Sequence, residues 1–188
     1  MSNENNMKKS IRIVVTLCLI TALVGALLAF VNLMTKDRIA EQNQKAMDEA
    51  VAVIFGKCEA VEIEGQYDAP VSNVYDVKVA GHSVGYCVFV KPKGYGGAVE
   101  MMVGITPQGA VRGISIVSHS ETPNLGTKVV ENGSYLANYF GKTEPVTFGN
   151  GVEAVSGATR SSNAVRDGVN AALKLGLGKK TSATAQEG

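Results

Sequence analysis

Four small or hydroxyl-bearing residues near the carboxyl end of the chain have the types and spacing to hold a phosphate group: Ser156, Gly157, Ala158 and Thr159. Residues 152–155 before them predict a short strand, and apolar residues recur at helical spacing after them. The run therefore lies where a strand turns into a helix, whose N-terminal N–H groups are unpaired and favour an anion. Thr159 adds a hydroxyl group at that point. From the residues alone, however, a threonine at the start of a helix is most often an N-cap.

The residues that follow Thr159 could strengthen such a site. Arg160 adds a positive charge, and the hydroxyl groups of Ser161 and Ser162 could donate hydrogen bonds to phosphate oxygens. The chain shows no Ser/His/Asp set and no paired carboxylates that would indicate a hydrolase. The sequence therefore predicts a binding site and no independent catalytic centre.

Two loops are further candidates. Residues 119–126 follow a predicted strand, and Pro123 and Gly126 constrain their backbone, as is common in functional loops. The Gly-rich stretch at residues 91–97 has no Walker spacing and no helix after it. Its local sequence therefore favours a flexible connection over a phosphate-binding loop.

Charge and cysteine content exclude several other classes. The 188 residues carry a formal net charge of +1 and no basic stripe with interleaved aromatic residues, which argues against a nucleic-acid partner. The three cysteines, Cys18, Cys58 and Cys87, show no CxxC spacing, and the two histidines lie far apart in the chain. Neither a metal site nor an iron–sulfur cluster is therefore predicted. Cys58 and Cys87 could form a disulfide, or both could be buried as small apolar side chains.

An uncharged run at residues 13–34 predicts a transmembrane helix. Its 22 residues would form a helix of about 33 Å, enough to cross the hydrocarbon core. A cleaved signal peptide, the alternative, would have a shorter apolar region and a small-x-small cleavage site. Lys8, Lys9 and Arg12 precede the span, which predicts that residues 1–12 are cytoplasmic and that the rest of the chain lies on the extracytoplasmic side of the cell membrane.

The remainder predicts an α+β fold: one N-terminal transmembrane helix, then an antiparallel-sheet domain with flanking helices. Residues 35–55 predict a stalk helix whose second half packs an apolar face on the domain, residues 56–177. Strands are expected at residues 74–79, 84–90, 99–105 and 111–117, with a last hairpin at 146–155. The short connections require antiparallel pairing. A short helix is expected at residues 135–140 and a disordered tail at 178–188.

Three motifs in this order are typical of one family. They are Gly94-Tyr95-Gly96-Gly97, Glu121-Thr122-Pro123-x-Leu125-Gly126 and Ser156-Gly157-Ala158-Thr159-x-Ser161. With a single N-terminal span, they make the chain resemble the flavin-binding G subunit of the Rnf electron-transport complex. The C subunit of the sodium-pumping NADH:quinone reductase is a relative of that family. The resemblance extends from the membrane helix to about residue 177.

The resemblance implies a covalent flavoprotein. In the family, FMN is attached through its phosphate to the threonine of the SGAT motif, here Thr159, by a separate flavin transferase. The residues expected to bind the cofactor are Ser156, Gly157, Ala158, Thr159, Arg160, Ser161, Glu121, Thr122, Pro123, Leu125 and Gly126. The family passes electrons within a membrane complex that couples ferredoxin and NAD redox chemistry to ion movement, so further subunits are expected as partners.

The chain departs from the family pattern at two positions. Glu153 stands where the family often has aspartate, which could slow modification by the transferase. Asn124 stands where glycine is common, and asparagine tolerates left-handed geometry better than most residues. Two other functions remain open on the sequence: an extracytoplasmic binding or sensory module without redox chemistry, and the equivalent component of the sodium pump, which the compact domain disfavours.

Overall fold

The computed structural model describes residues 2–184. The elements in chain order are α1 (Ser2–Phe55), β1 (Glu59–Ile63), β2 (Val71–Val79), β3 (His82–Val90), β4 (Glu100–Ile105), β5 (Val111–Ser118), α2 (Thr127–Val130), α3 (Gly133–Ala137) and α4 (Thr159–Thr184). The chain divides into two compact units between Lys45 and Ala46. Helix α1 continues through the predicted boundary between span and stalk, so these two segments form one helix.

Helix α1 carries the candidate membrane span. The stretch Ile11–Phe55 contains a window long and apolar enough to cross a membrane, and the window is not buried by other residues. The two threonines of the span are compatible with a membrane environment. Thr16 Oγ1 and Thr21 Oγ1 each donate to the carbonyl oxygen four residues earlier, at 2.8 and 3.0 Å. Both hydroxyl groups are thus satisfied inside the helix, as an apolar environment requires.

The second unit is built on one antiparallel sheet. Its strand order is β1-β2-β3-β4-β5, so every neighbour in space is also a neighbour in sequence. The four predicted strands are confirmed as β2 to β5. Strand β1 lies outside that prediction. It is short, sits at the edge of the sheet and exposes charged residues such as Glu59 and Glu62, which mask its alternation and protect a free edge.

Both faces of the sheet are covered, and strand β3 shows why. Val88 and Val90 point into the cluster under α4, while Cys87 and Phe89 point into a cluster with the end of α1. Side chains of a strand alternate between faces, so one apolar strand serves both layers. The predicted apolar face of the stalk is confirmed: Ala50, Val51 and Phe55 are buried in this second cluster, with Met47 and Ile54 packed against it.

The prediction of a last hairpin at residues 146–155 is wrong, because the segment is a loop. The backbone of this loop forms hydrogen bonds with side chains of α4 and not with a partner strand. Asn170 accepts from the Val146 N–H at 2.7 Å through Oδ1 and donates to the Val146 carbonyl at 2.9 Å through Nδ2. Ser162 Oγ accepts from the Val155 N–H at 3.0 Å.

The two helices predicted in the second half of the chain are present, but they end at other residues than predicted. Helix α3 ends at Ala137, so Tyr139 and Phe140 of the predicted helix lie in the turn that follows. Helix α4 continues to Thr184, past the predicted start of the disordered tail at residue 178. Residues 185–188 of that tail lie outside the described residues.

Cys58 and Cys87 are both free thiols. They belong to the apolar cluster between the sheet and the end of α1. Burial raises the pKa of both groups, that of Cys87 to about 12, with a further contribution from Cys58. At neutral pH both thiols therefore stay protonated and act as small apolar side chains, the second of the two alternatives drawn from the sequence.

Candidate functional site

The three sequence motifs meet around the side chain of Glu121. Its Oε1 accepts hydrogen bonds from the backbone N–H groups of Tyr95 and Gly96, at 2.8 and 3.3 Å. Its Oε2 accepts from the hydroxyl of Ser161 at 2.6 Å. The carboxylate thus joins the Gly-rich loop to the start of α4, and the loop at residues 119–126 lies between them.

The SGAT motif forms a tight turn that leads into α4. The N–H of Ala158 donates to the carbonyl of Val155 at 2.9 Å, and Gly157 has φ of +78°, which L side chains rarely adopt. The carbonyl of Ala158 accepts the N–H of Ser162 at 2.9 Å, the first helical hydrogen bond. Ala158 therefore occupies the N-cap position, and the interpretation of Thr159 as an N-cap is wrong.

Thr159 is the first helical residue, and its side chain is exposed. Within residues 2–184, its hydroxyl group makes no hydrogen bond. Arg160 is exposed beside it and forms no ion pair with any described residue. The start of this long helix thus presents a free hydroxyl, a free positive charge and the unpaired N–H groups of its first turn.

The hydroxyl groups of Ser161 and Ser162, which the sequence suggests as donors to phosphate oxygens, both donate within the protein. Each hydroxyl group has one proton to donate, and both protons are already committed. Ser161 donates to Glu121, and Ser162 donates to the carbonyl of Ala158 at 3.1 Å while accepting from Val155. Both residues are buried and shape the turn from behind. A phosphate at Thr159 would have to rely on the backbone N–H groups and Arg160.

A cavity of about 500 Å³ opens in front of these groups. Its walls are formed by Tyr95, Thr122, Leu125, Gly126, Gly157, Ala158, Thr159, Arg160 and Ser161. Eight of the eleven predicted site residues therefore line one cavity. Glu121 lies buried behind the wall, while Ser156 and Pro123 are exposed outside it. Tyr95, which is 67% exposed, is the lining residue that the sequence prediction did not include, although the Gly-rich motif contained it.

The loop at residues 121–126 keeps its shape despite the departure at Asn124. This residue has φ of +61°, the left-handed conformation expected for it, and its N–H donates to Thr127 Oγ1 at 3.0 Å. Glu153, the other departure, is exposed on the loop before the motif. Its side chain is therefore accessible to another protein.

A larger cavity, about 550 Å³, lies elsewhere between the loop at residues 67–71 and the middle of α4. None of the predicted site residues lines it, and its walls combine Asp68, Asp167 and Lys174 with apolar groups. Size alone therefore does not identify the site. The smaller cavity is the candidate because the three motifs converge on it.

Comparison with known proteins agrees with this site. A family model described as the FMN-binding domain matches residues 94–174, a range that contains all three motifs. A second, described as the RnfG N-terminal region, matches residues 1–54. The cavity thus lies in an FMN-binding domain that follows a candidate membrane span.

Proteins whose sequences are similar to most of this chain identify one family within the class of proteins with an FMN-binding domain. The G subunit of the ion-translocating oxidoreductase complex of Methanosarcina acetivorans is 30% identical, with 88% of this chain and 94% of the relative covered. The G subunit of the Na⁺-translocating ferredoxin:NAD⁺ oxidoreductase complex of Acetobacterium woodii is 31% identical, with 85% and 87% covered. The G subunit of the proton-translocating complex of Clostridium ljungdahlii is 28% identical, with 80% and 82% covered. The chain belongs to the family of G subunits of ion-translocating oxidoreductase complexes, which confirms the resemblance found in the sequence.

A solved structure, that of NqrC from Shewanella oneidensis, matches with 24% identity and a TM-score of 0.44 over 52% of this chain and 53% of the other.

Proposed function

We propose that this chain is an electron-transfer subunit that carries FMN as a phosphoester on Thr159. The observation that supports the proposal most directly is the exposed, unbonded hydroxyl of Thr159 on the wall of the cavity. Roughly 300–1,000 Å³ is typical of cofactor cavities, and about 500 Å³ lies within that range. The residues present therefore fit the cofactor that the family binds.

The residues of the site would divide the work of holding the cofactor. The N–H groups at the start of α4 and the guanidinium of Arg160 would offset the charge of the phosphate. Tyr95 and Leu125, both exposed at the cavity, would offer apolar surface to the ring system. When bound, a flavin supplies transfer of one or two electrons, which suits a relay between other subunits.

The ester requires an activated donor, because a free phosphate has no leaving group. We propose a flavin dinucleotide, in which the flavin phosphate is part of a pyrophosphate. The Thr159 oxygen would form the new P–O bond while the pyrophosphate P–O bond breaks. A nucleoside monophosphate leaves, the hydroxyl proton passes to a base, and no electrons move. A separate flavin transferase would catalyse this step, since none of the residues that line the cavity has a carboxylate or imidazole that could act as the base.

The partners are the other subunits of the complex. The relatives from Acetobacterium woodii and Clostridium ljungdahlii are named as subunits of Na⁺- and proton-translocating ferredoxin:NAD⁺ oxidoreductases. We propose that this chain serves a ferredoxin:NAD⁺ oxidoreductase that translocates one of these ions. The flavin would receive electrons from one partner and pass them to the next.

The flavin ester predicts that the cofactor survives denaturation. We expect the chain, co-expressed with a flavin transferase, to fluoresce as a flavoprotein in a denaturing gel and to gain one flavin phosphate in intact mass. Protein made without the transferase should show neither signal. Release of all flavin on denaturation, with the transferase active on another substrate, would reject the ester and leave a non-covalent flavin site.

We also propose that the FMN domain lies outside the cytoplasm, from the distribution of positive charge around the span. Lys8, Lys9 and Arg12 precede the span at residues 13–34, against Lys36 and Arg38 after it. Alkaline phosphatase needs disulfides and is active only in an oxidising compartment. We therefore expect activity when it is fused after residue 188 and none when it is fused before residue 12. The reverse pattern would show that the domain is cytoplasmic.

A further inference from the structure

Glu121 is a buried carboxylate without a positively charged partner among the described residues. Among the side chains whose burial the structure describes, it is the only charged one that is buried, with 6% of its surface exposed. It forms no ion pair with a described residue. Burying a carboxylate without a cation is costly unless hydrogen bonds compensate, so a residue used only for packing would be apolar.

The groups that contact Glu121 are suited to a negative charge. Two are backbone N–H groups, of Tyr95 and Gly96, which can only donate. The third is the hydroxyl of Ser161, whose oxygen lies 2.6 Å from Oε2, within the usual range for a charge-assisted bond. An ionised carboxylate accepts from all three. These bonds stabilise the charge without neutralising it.

Two glycines keep space for this carboxylate. A Cβ atom at Gly94 would overlap Oε1 of Glu121, and one at Gly126 would overlap Oε2. Gly126 itself lines the cavity, as do Tyr95 and Ser161. The carboxylate therefore lies directly behind the cavity wall and contacts three of its lining residues without lining the cavity itself.

We propose that Glu121 is a positioning residue whose negative charge lowers the reduction potential of the flavin held at Thr159. The inference rests on the proposed function, because it needs the flavin in this cavity. Adding an electron beside a fixed negative charge is disfavoured, and the low dielectric of a buried site strengthens that effect. The protein can tune a cofactor by such nearby charges without contacting it directly. Glu121 acts through its field and by holding Tyr95 and Ser161 in place.

The test compares Glu121→Gln with the parent chain, both full length and loaded with covalent flavin. Glutamine keeps an oxygen for the Tyr95 and Gly96 N–H groups, and its NH₂ can donate to Ser161, whose hydroxyl can turn to accept. The variant thus removes the charge and preserves the contacts. We expect the flavin content and visible circular dichroism to stay the same while the midpoint potential shifts upward. Glu144→Gln, which removes an exposed carboxylate remote from the cavity, should leave the potential unchanged.

Several results would overturn the inference. Equal potentials in the parent chain and the Gln variant would show that the charge does not act on the flavin. A folded Gln variant that never acquires flavin would show that Glu121 serves maturation. If the Gln variant does not fold, Glu121→Ala removes the same charge, and an unshifted potential there is equally adverse. A parent chain without covalent flavin would remove the proposed function itself, an outcome seen in the denaturing gel before any potential is measured.

Discussion

Thr159→Ala is expected to abolish the covalent flavin while leaving the fold intact. Alanine lacks the oxygen that the proposed ester requires. Thr159 is exposed and makes no hydrogen bond through its side chain within residues 2–184, so its loss should change the free energy of unfolding by about 0.5 kcal/mol or less. Flavin fluorescence of the denatured protein, after co-expression with a flavin transferase, measures the first effect. Thermal unfolding in detergent measures the second.

Two control variants make the loss specific. Thr159→Ser keeps a hydroxyl at the same helical position and should restore the fluorescent band. Thr122→Ala removes a different hydroxyl from the same cavity wall and should retain the band. Covalent flavin in Thr159→Ala, or its absence from Thr122→Ala alone, would show that the flavin is attached to a residue other than Thr159.

Gly85→Ala is expected to cause a large loss of stability. Gly85 lies in β3 with φ of +146°, and a Cβ atom there would overlap the carbonyl oxygen of Ile105 and press on the ring of Phe55 at 3.0 Å. Neither the backbone carbonyl nor the buried ring can move freely. Strained backbone and overpacking each cost about 1–3 kcal/mol, so we expect unfolding to become easier by roughly 2–4 kcal/mol.

Two glycines separate the causes of that loss. Gly81 also has positive φ, +82°, but a Cβ atom there meets nothing within 4 Å, so Gly81→Ala isolates the backbone cost. Gly133 has neither constraint and begins α3, so Gly133→Ala should be neutral or slightly stabilising. Near-ultraviolet circular dichroism during thermal unfolding compares the three variants. Equal midpoints for Gly85→Ala and Gly81→Ala would contradict the predicted overlap with Ile105.

Two predictions for the second half of the chain, the hairpin at residues 146–155 and the N-cap at Thr159, fail for different physical reasons. Residues 146–155 alternate like a hairpin, but Val146 and Val155 bond through their backbone groups to the side chains of Asn170 and Ser162 in α4. Between them the Gly149 N–H donates to the Val152 carbonyl at 3.1 Å, which forms a turn and not a strand ladder. The N-cap interpretation of Thr159 fails because Ala158 already occupies that position. The side chain of Asn170, 24 residues from Val146, reaches that loop only after folding, whereas the N-cap at Ala158 is set by a local bond at the start of α4.

The Glu121 contacts show the same limit at the candidate site. Glu121 lies 26 residues from Tyr95 and 40 residues from Ser161 in the chain, yet it bonds both. The three motifs therefore predict a shared site through family resemblance. Periodicity alone shows no reason for them to meet. The same long-range packing commits the hydroxyl proton of Ser161, whereas that of Ser162 is committed locally, to the Ala158 carbonyl.

The sequence by itself determined the features that depend on local chain properties. An uncharged run of 22 residues predicts a span, short connections impose antiparallel pairing, and the SGAT motif marks the start of a helix. The tertiary structure decided which polar groups pair, which loop covers which helix end, and where the cavity opens. The reason is physical: helix and hairpin formation draws on neighbours in sequence, whereas burial of Glu121 and the exposure of the Thr159 hydroxyl depend on elements brought together from distant parts of the chain.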